Sequence, residues 1–512
     1  MFWIKRVTAW TITFLVTLGS LTLASSALAG KFDDTLVYAS NSWPENISPY
    51  HNNLREGVIL GHLAWDTLVY RDPDSGKYLP MLATDWTWKD DTHLVFNLRQ
   101  GVRFQNGDPL TADDVAFTFN YVLTPESKVV TLQNVNWIRQ VRKLDQYTVE
   151  FELKKPFPAA LEYLAGPLPV YPEKYFKKVG LAGFDKAPIG TGPYKIVKVI
   201  SGQEVDLERN VDYFSDSPIG QPKIKKLKFV LIPDQDTRLA QLMTGQVDWI
   251  WRVPSDQAEQ LKSMPNISVL SSETMRVGYL SLNSRGTDRE DSPFKKLKVR
   301  EAVNYALDRK VLADQLVRGG SRPLYTPCFP EQFGCEDDAA VKYPYNPEKA
   351  RSLLAEAGYP YGFSTDIYAY RDRDYAEAVI GYLHQIGIQA KLHYMTYAAL
   401  RDELRAGHVP MSFQTWGSYS INDASAIISI YFKGGADDQD RDTQVKQWLE
   451  TADNSVDPKV RQDYYQKAIH QITQEAYWAP MFSYTSNYAF TSDLNFKAYP
   501  DELPRFWEAS WK

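Results

Sequence analysis

Two hydrophobic periods alternate along the 512 residues, and they define the elements to expect. Over residues 92–98, Leu94, Phe96 and Leu98 recur at every second position. Over 147–153, Val149, Phe151 and Leu153 do the same, with Glu150 and Glu152 between them. A period of two places one set of side chains on a single face, the mark of a half-buried strand. Residues 35–39 read as a strand running into the loop Ser40-Asn41-Ser42-Trp43-Pro44, and 195–200 as a strand after a Gly-rich turn. Elsewhere the period is near 3.6. Thr111 and Asp114 form an acidic capping box, Leu110 can staple onto Val115, and Val115, Phe119 and Val122 line one face of the helix that follows. Asn346 caps a second helix, with Pro347 at its first position, Ala350, Leu353, Leu354 and Ala357 inward, and Gly358 at its end. A third passes through Val299, Ala302, Val303, Ala306 and Leu307 toward a stop at Gly319-Gly320. A fourth starts at Asp374 and buries Val379, Ile380, Leu383 and Ile386 before Gly387. Alternating element types without a fixed-period repeat imply a mixed α/β architecture.

Composition narrows the class. With 44% hydrophobic and 23% charged residues, 28 Gly and 30 Pro, the chain is neither disordered, collagen-like nor a coiled coil. Its length predicts two or three structural units. A diffuse net charge of −6 argues against nucleic acid or an anionic membrane surface as partner. Most of the 14 Trp and 32 Tyr belong to the core, but both residue types also suit a wall that contacts ligand.

Lys5 and Arg6 precede an apolar run over 7–24, followed by Ala27-Leu28-Ala29 and Gly30. This is the pattern of a secretory signal peptide, residues 1–29, cut after Ala29. The run holds several Thr and is short for a membrane span. No Cys follows the cleavage point, so a lipid anchor is not expected, and no later segment has eighteen consecutive apolar residues. In an oxidising compartment Cys328 and Cys335, close together in a Pro- and Gly-bearing loop, read as a disulfide contributing roughly 2–3 kcal/mol.

The search for catalytic chemistry is mostly negative. The seven His form no H-E-x-x-H and no pair at a helical metal-ligand spacing. There is no G-x-S-x-G elbow, no Walker A and no G-x-G-x-x-G. No metal and no cofactor is expected. In Gly190-Thr191-Gly192-Pro193-Tyr194, Pro193 removes a donor that a phosphate cradle would use, so the segment reads as a turn. Asp113/Asp114 and Asp437/Asp438 read as a helix start and a solvated loop rather than acid–base pairs. A secreted hydrolase with a scattered site stays open as the alternative to a binding protein.

A family resemblance runs through these elements. Leu82-Ala83-Thr84-Asp85-Trp86, the run from Leu94 to Phe104, Asn106-Gly107 and Leu110-Thr111-Ala112-Asp113-Asp114-Val115 closely resemble the signature of family 5 bacterial extracellular solute-binding proteins. These are the dipeptide, oligopeptide and nickel binding components of ABC importers. Gly190-Thr191-Gly192-Pro193-Tyr194 resembles the family's G-T-G-P-Y turn. Leu207-Glu208-Arg209-Asn210 with Tyr213-Phe214, and Thr244-Gly245-Gln246-Val247-Asp248, resemble further segments. The helix from Val299 to Arg309 and the stretch from Asn346 to Gly358 do so as well. Order and spacing together cover nearly all of 35–510.

The resemblance implies an α/β, two-lobed fold of the periplasmic-binding-protein type II kind, with mixed sheets, an extra subdomain in the first lobe and a two-stranded hinge. It places the first-lobe core at 30–64, 190–275 and 486–512, the extra subdomain at 65–189 and the second lobe at 276–485. It implies a monomeric periplasmic protein that encloses a peptide or peptide-like solute and delivers it to a membrane permease. In peptide-binding relatives a second-lobe Trp is followed three residues later by an Asp that pairs with the ligand ammonium. Here the stretch is Trp416-Gly417-Ser418-Tyr419, and the position holds Tyr419. A free-amine peptide is therefore in doubt, with Asp423 and Glu45 as replacement acids left open. Arg371 and Arg373 lie close to where relatives hold the ligand carboxylate, and each also fits a solvated ion-paired loop. Trp43, Trp416 and Tyr419 are aromatic-wall candidates, and each also fits core packing. Opine-like amino-acid conjugates and oligosaccharide derivatives are the other ligand classes; a nickel complex ranks last, since little resembles an imidazole-rich site.

Overall fold

The computed structural model describes residues 30–52 and 54–512, with the Tyr419 side chain outside the described set. The expected signal peptide, 1–29, lies outside the described residues. No described helix is long and apolar enough to cross a membrane.

Ten strands form one mixed sheet through the molecule. Its axis is a pair of long antiparallel strands, Ile267–Leu282 and Trp478–Thr491. Beyond Trp478–Thr491 lie Trp249–Ile250, then the parallel pair Thr35–Ser40 and Lys226–Leu231, then Glu204–Arg209 and Tyr194–Ile200. Beyond Ile267–Leu282 lie Met411–Trp416, Phe363–Ala369 and Ile388–Tyr394. One end of the axis, where Ile267 pairs with Thr491, belongs to the first half. The other end, where Val277 to Leu282 pair with Trp416 to Met411, belongs to the second. The register of the long pair slips between Glu273 and Val277. A slip of this kind interrupts the ladder and bends the strand. Two strands with a slip between two half-sheets make the two-stranded hinge of a two-lobed fold.

The half-sheets are covered by separate cores. Leu280, Val299, Phe413 and Phe482 centre one, and Tyr465 and Ile469 pack beside the Cys328–Cys335 disulfide in another. On the first side, Leu36, Phe229 and Trp249 share one buried cluster with Phe96, Phe119 and Phe151. The last three come from a four-stranded antiparallel sheet, Ala83–Asp90, His93–Leu98, Thr148–Leu153 and Ile138–Asp145, and the helix Ala112–Val122 on it. The additional sheet thus extends the first core instead of building its own.

Local chemistry sets the element ends. The Thr111 amide and hydroxyl both donate to Asp114 Oδ2, at 2.9 and 3.1 Å, fixing the start of Ala112–Val122. Asn346 Oδ1 accepts from the Lys349 amide at 2.9 Å at the start of Pro347–Glu356. The helix through Val299 departs from expectation: Leu297–Ala306 ends well before Gly319. Leu307 is extended, and Asp308 caps a new turn, Arg309–Val311, by accepting from the Val311 amide at 3.0 Å. A π-helical stretch, Leu312–Val317, then carries the chain to Gly319. The break lets the buried Arg309 guanidinium donate to the carbonyls of Asn304, Tyr343 and Pro480. Those bonds outweigh the continuous helix that apolar spacing alone favours.

The Gly190-Thr191-Gly192 turn has a packing role. The Gly192 amide donates to Ala64 O at 3.0 Å at the end of the helix Arg55–Ala64. A Cβ on Gly192 would sit 2.4 Å from the Ala64 carbonyl carbon. Only glycine allows this approach, and the helix it seats faces the cleft.

Candidate ligand-binding site

A cavity of about 370 Å³ lies between the lobes. The first lobe supplies Arg55, Glu56 and His62 from the seated helix, Arg252 from the loop after Trp249–Ile250, and Arg505 and Trp507 from the C-terminal segment. The extra sheet region adds Met81, Glu162 and Pro167. Across from them stand Tyr370, Arg371, Thr415, Trp416, Gly417 and Ser420 of the second lobe. The volume is within the roughly 300–1,000 Å³ range of small-molecule pockets.

The lobes already touch at one rim. Ile421 of the second lobe is buried in the first-lobe core, the Asn422 amide donates to Glu162 Oε2 at 3.0 Å, and Arg55 Nη1 donates to Ser420 Oγ at 2.7 Å. This rim segment is braced from behind by the disulfide loop. Gln332 Nε2 donates to Ile421 O at 2.8 Å, the Phe333 amide donates to Asn422 O, and the Ala424 amide donates to Phe333 O. The disulfide therefore stiffens the support of a cavity wall.

Charge in the wall is largely paired. Glu502 Oε2 lies 3.0 Å from Arg276 Nη2 and 3.5 Å from Arg55 Nη2. Burial pushes its carboxyl up, but the Arg276, Arg55 and Arg252 charges together overcome this and hold it at about 2. Asp501 pairs with Arg505 at 2.6 Å. Glu162 pairs with Arg71 at 2.8 Å and accepts from Tyr78. Glu56 accepts from Ser40 Oγ at 2.6 Å, and Asp66 accepts from Tyr213 at 2.9 Å. Burial raises Asp66 to about 6 against the Tyr213 and Thr191 hydrogen bonds. Burial and then the Arg505 charge lower His62 to about 4, so it is neutral near pH 7. With its acids engaged, apart from Asp66 Oδ2, which has no hydrogen-bond partner among the described residues, the wall has more to offer an anion than a cation. Arg371 bonds Asp372 through Nε at 2.8 Å and stacks on Tyr484, while its two terminal nitrogens bond no described residue. An edge of this kind can grip a carboxylate bidentately.

Of the residues singled out from sequence, Arg371, Trp416 and Gly417 line this cavity together. Trp416 donates from Nε1 to Ala426 O at 2.8 Å and meets Tyr431 edge-on. A Cβ on Gly417 would lie 3.0 Å from Arg276 Nη2, so the glycine makes room for that guanidinium. Two candidates lie outside the lining. Trp43 packs against Phe229 at the first-lobe core and is not in the lining; only its neighbour Ser42 is. Arg373 is the first residue of Arg373–Gln385, pairs with Glu377 at 2.8 Å one turn on, and is largely exposed. Tyr419 belongs to the short turn Ser418–Ser420, and its side chain is outside the described residues. Neither replacement acid lines the cavity: Asp423 is locked by Arg461 at 2.8 Å and by Ser425, and Glu45 faces outward.

Sequence reasoning missed Arg55, Arg252, Arg276 and Glu502. Backbone strain marks two of them, Arg252 and Glu502. Among the described non-glycine residues with positive φ, Arg252, Asp372, Ser418, Ser420 and Glu502 all sit in or beside the cavity. Strained φ persists where surroundings over-determine it, often at binding sites. Among the described residues no group of three or more His, Cys, Asp or Glu could hold a metal ion.

Two lobes on a two-stranded hinge, with a polar and aromatic cavity between them, define a protein built to enclose a small solute. The chain belongs to the bacterial extracellular solute-binding proteins, family 5, whose model matches residues 77–438. The glutathione-binding protein GsiB of Escherichia coli (strain K12) is 29% identical over 492 residues, 91% of this chain and 92% of that protein. The structure of HbpA2 from Haemophilus parasuis is 27% identical with a TM-score of 0.79, covering 93% of this chain and 100% of that one. The dipeptide binding protein from Pseudoalteromonas sp. SM9913, in complex with Met-Leu, shares the fold with a TM-score of 0.80 at 22% identity, covering 93% of this chain and 100% of that one. Family members are periplasmic or extracellular binding proteins, not enzymes, and the hydrolase alternative is set aside.

Proposed function

We propose that the protein captures a short peptide or peptide-like carboxylate in the periplasm and hands it to the membrane permease of an ABC importer. It acts as a monomer after export through a cleaved 1–29 segment. The observation that carries the solute class is the free guanidinium edge of Arg371 in a cavity whose acids, Asp66 Oδ2 apart, are already engaged. Trp416, Tyr370, Tyr397, Trp65 and Trp507 add flat apolar surface for the uncharged part of such a solute. The moving bodies are 30–189 with 190–275 and 486–512 on one side, and 276–485 on the other, pivoting near the slip between Glu273 and Val277. Solute touching both lobes favours the closed state because those contacts exist only there.

The names of the relatives make glutathione and free dipeptides the first solutes to try. Calorimetry against glutathione, free and N-acetylated dipeptides, an opine-type conjugate, an oligosaccharide and a nickel–histidine complex tests the reading. One-to-one binding of a carboxylate-bearing peptide or conjugate, recovered unchanged, is expected. Binding of the oligosaccharide alone overturns the solute class.

A further inference from the structure

The wall holds a second arginine, on the opposite lobe, about as exposed as Arg371. Arg252 has φ +54, a left-handed conformation that is uncommon for a side-chain-bearing residue. The backbone is held there from one side, where the Val253 amide donates to Asn487 O and Asn487 Nδ2 donates back to Val253 O. The guanidinium lies over the Trp251 ring, 4.1 Å from its centroid, and the Trp251 indole is fixed in turn by donating to Ser40 Oγ at 3.0 Å. Stacking uses the face of the guanidinium and leaves its N–H edge free. No hydrogen bond joins that edge to a described residue. The nearest carboxylate oxygen, Glu56 Oε1, is 3.9 Å away and already accepts from Ser40. On the half-buried Arg252 the Glu56 and Glu502 charges of its own lobe act first, and the smaller, opposing effect of Arg371 and Arg276 comes from the second lobe in the enclosed state.

Closure thus brings two free guanidinium edges, one from each lobe, toward one cavity. Like charges approaching in a space shielded from water repel. The same edges become an asset when an anion lies between them. We propose that Arg252 and Arg371 together grip an anionic group of the solute, a carboxylate in the class argued above, and that this shared anion is what relieves the charge repulsion opposing closure. Arg252 is then a specificity determinant of the first lobe. The proposal rests on the reading that this cavity is the solute site.

The test uses wild type, Arg252→Ala, Arg252→Lys and Arg371→Ala, each checked for folding by its thermal melt. Glutathione and its diethyl ester are titrated by calorimetry. Small-angle scattering records the ligand-free radius of gyration at low salt and at 1 M salt, where the Debye length falls to about 3 Å. Expected are at least tenfold weaker glutathione binding in both alanine variants, weaker binding of the ester by wild type, and a ligand-free Arg252→Ala protein more compact than wild type at low salt but not at 1 M. Arg252→Lys keeps the charge, so its ligand-free radius stays that of wild type, while it loses the two-pronged grip and binds more weakly. Glutathione binding unchanged in Arg252→Ala overturns the proposal. If wild type ignores glutathione, the choice of solute fails separately, and the ligand-free radii decide: equal radii for wild type and Arg252→Ala at low salt overturn the shared-anion account.

Discussion

Glu502 is the residue on which the charge of the cavity wall depends. It holds Arg55 and Arg276 in place, and both would be left without a carboxylate if it were neutral. Glu502→Gln is expected to cost about 3–5 kcal/mol, the scale for removing one partner of a buried pair. The sign of its pH dependence follows from its carboxyl being held at about 2, below its ordinary 4.5. The contribution is complete above 4.5 and is lost as pH falls toward 2. Urea melts of wild type and Glu502→Gln should therefore converge over that window; a gap that stays constant to pH 2 contradicts the pairing. His62 works in another window. It is lowered to about 4 from 6.5, so the unfolded chain takes up its proton first and stability is lost as pH falls from 6.5 toward 4. His62→Gln should flatten that part of the stability profile relative to wild type. Asp66, raised to about 6, acts with the opposite sign, and the paired comparison separates the two. Arg371, Trp416 and Gly417 were legible because a motif brought the eye to their segments. Arg55, Arg252 and Arg276 were not: a single Arg carries no periodic signal, and Glu502, on which Arg55 and Arg276 converge, is 447 and 226 residues away from them.

At the scale of elements, capping and turn chemistry were readable and long-range competition was not. Thr111 with Asp114, and Asn346 with Lys349, are hydrogen-bond partners within four residues, so sequence suffices. The early end of Leu297–Ala306 depends on carbonyls of Tyr343 and Pro480, which no local window holds. The G-T-G turn was recognisable, but its purpose appears only in its approach to Ala64. Gly192→Ala should destabilise by about 3 kcal/mol, the overpacking scale, because the obstacle is backbone and cannot swing aside. A chemical melt within 0.5 kcal/mol of wild type would show that the turn is not pressed onto the helix end. Cys328→Ser should cost about 2–3 kcal/mol on the chain-entropy scale for so short a loop. Because the loop also braces residues 421–424, amide exchange there should quicken in the variant more than in Ala112–Val122. Equal change in both places would show that the disulfide acts on the whole fold alone.

The whole molecule behaves as a clamp: two half-sheets, one pair of long strands slipped at Glu273–Val277, and a cavity that takes wall residues from both sides. The lobed architecture was legible because its signature segments are short and ordered along the chain. The solute was not, since the side chains that line the cavity come from segments far apart in the chain. A bound solute at a hundredfold excess over Kd should raise stability by about 2.7 kcal/mol, and scattering should show compaction with it. The most direct measurement is mass spectrometry of the small molecules released by denaturing protein taken straight from the export compartment, without dialysis. The account predicts one small acidic peptide or conjugate at close to one per chain. A stoichiometric solute with no acidic group would contradict it.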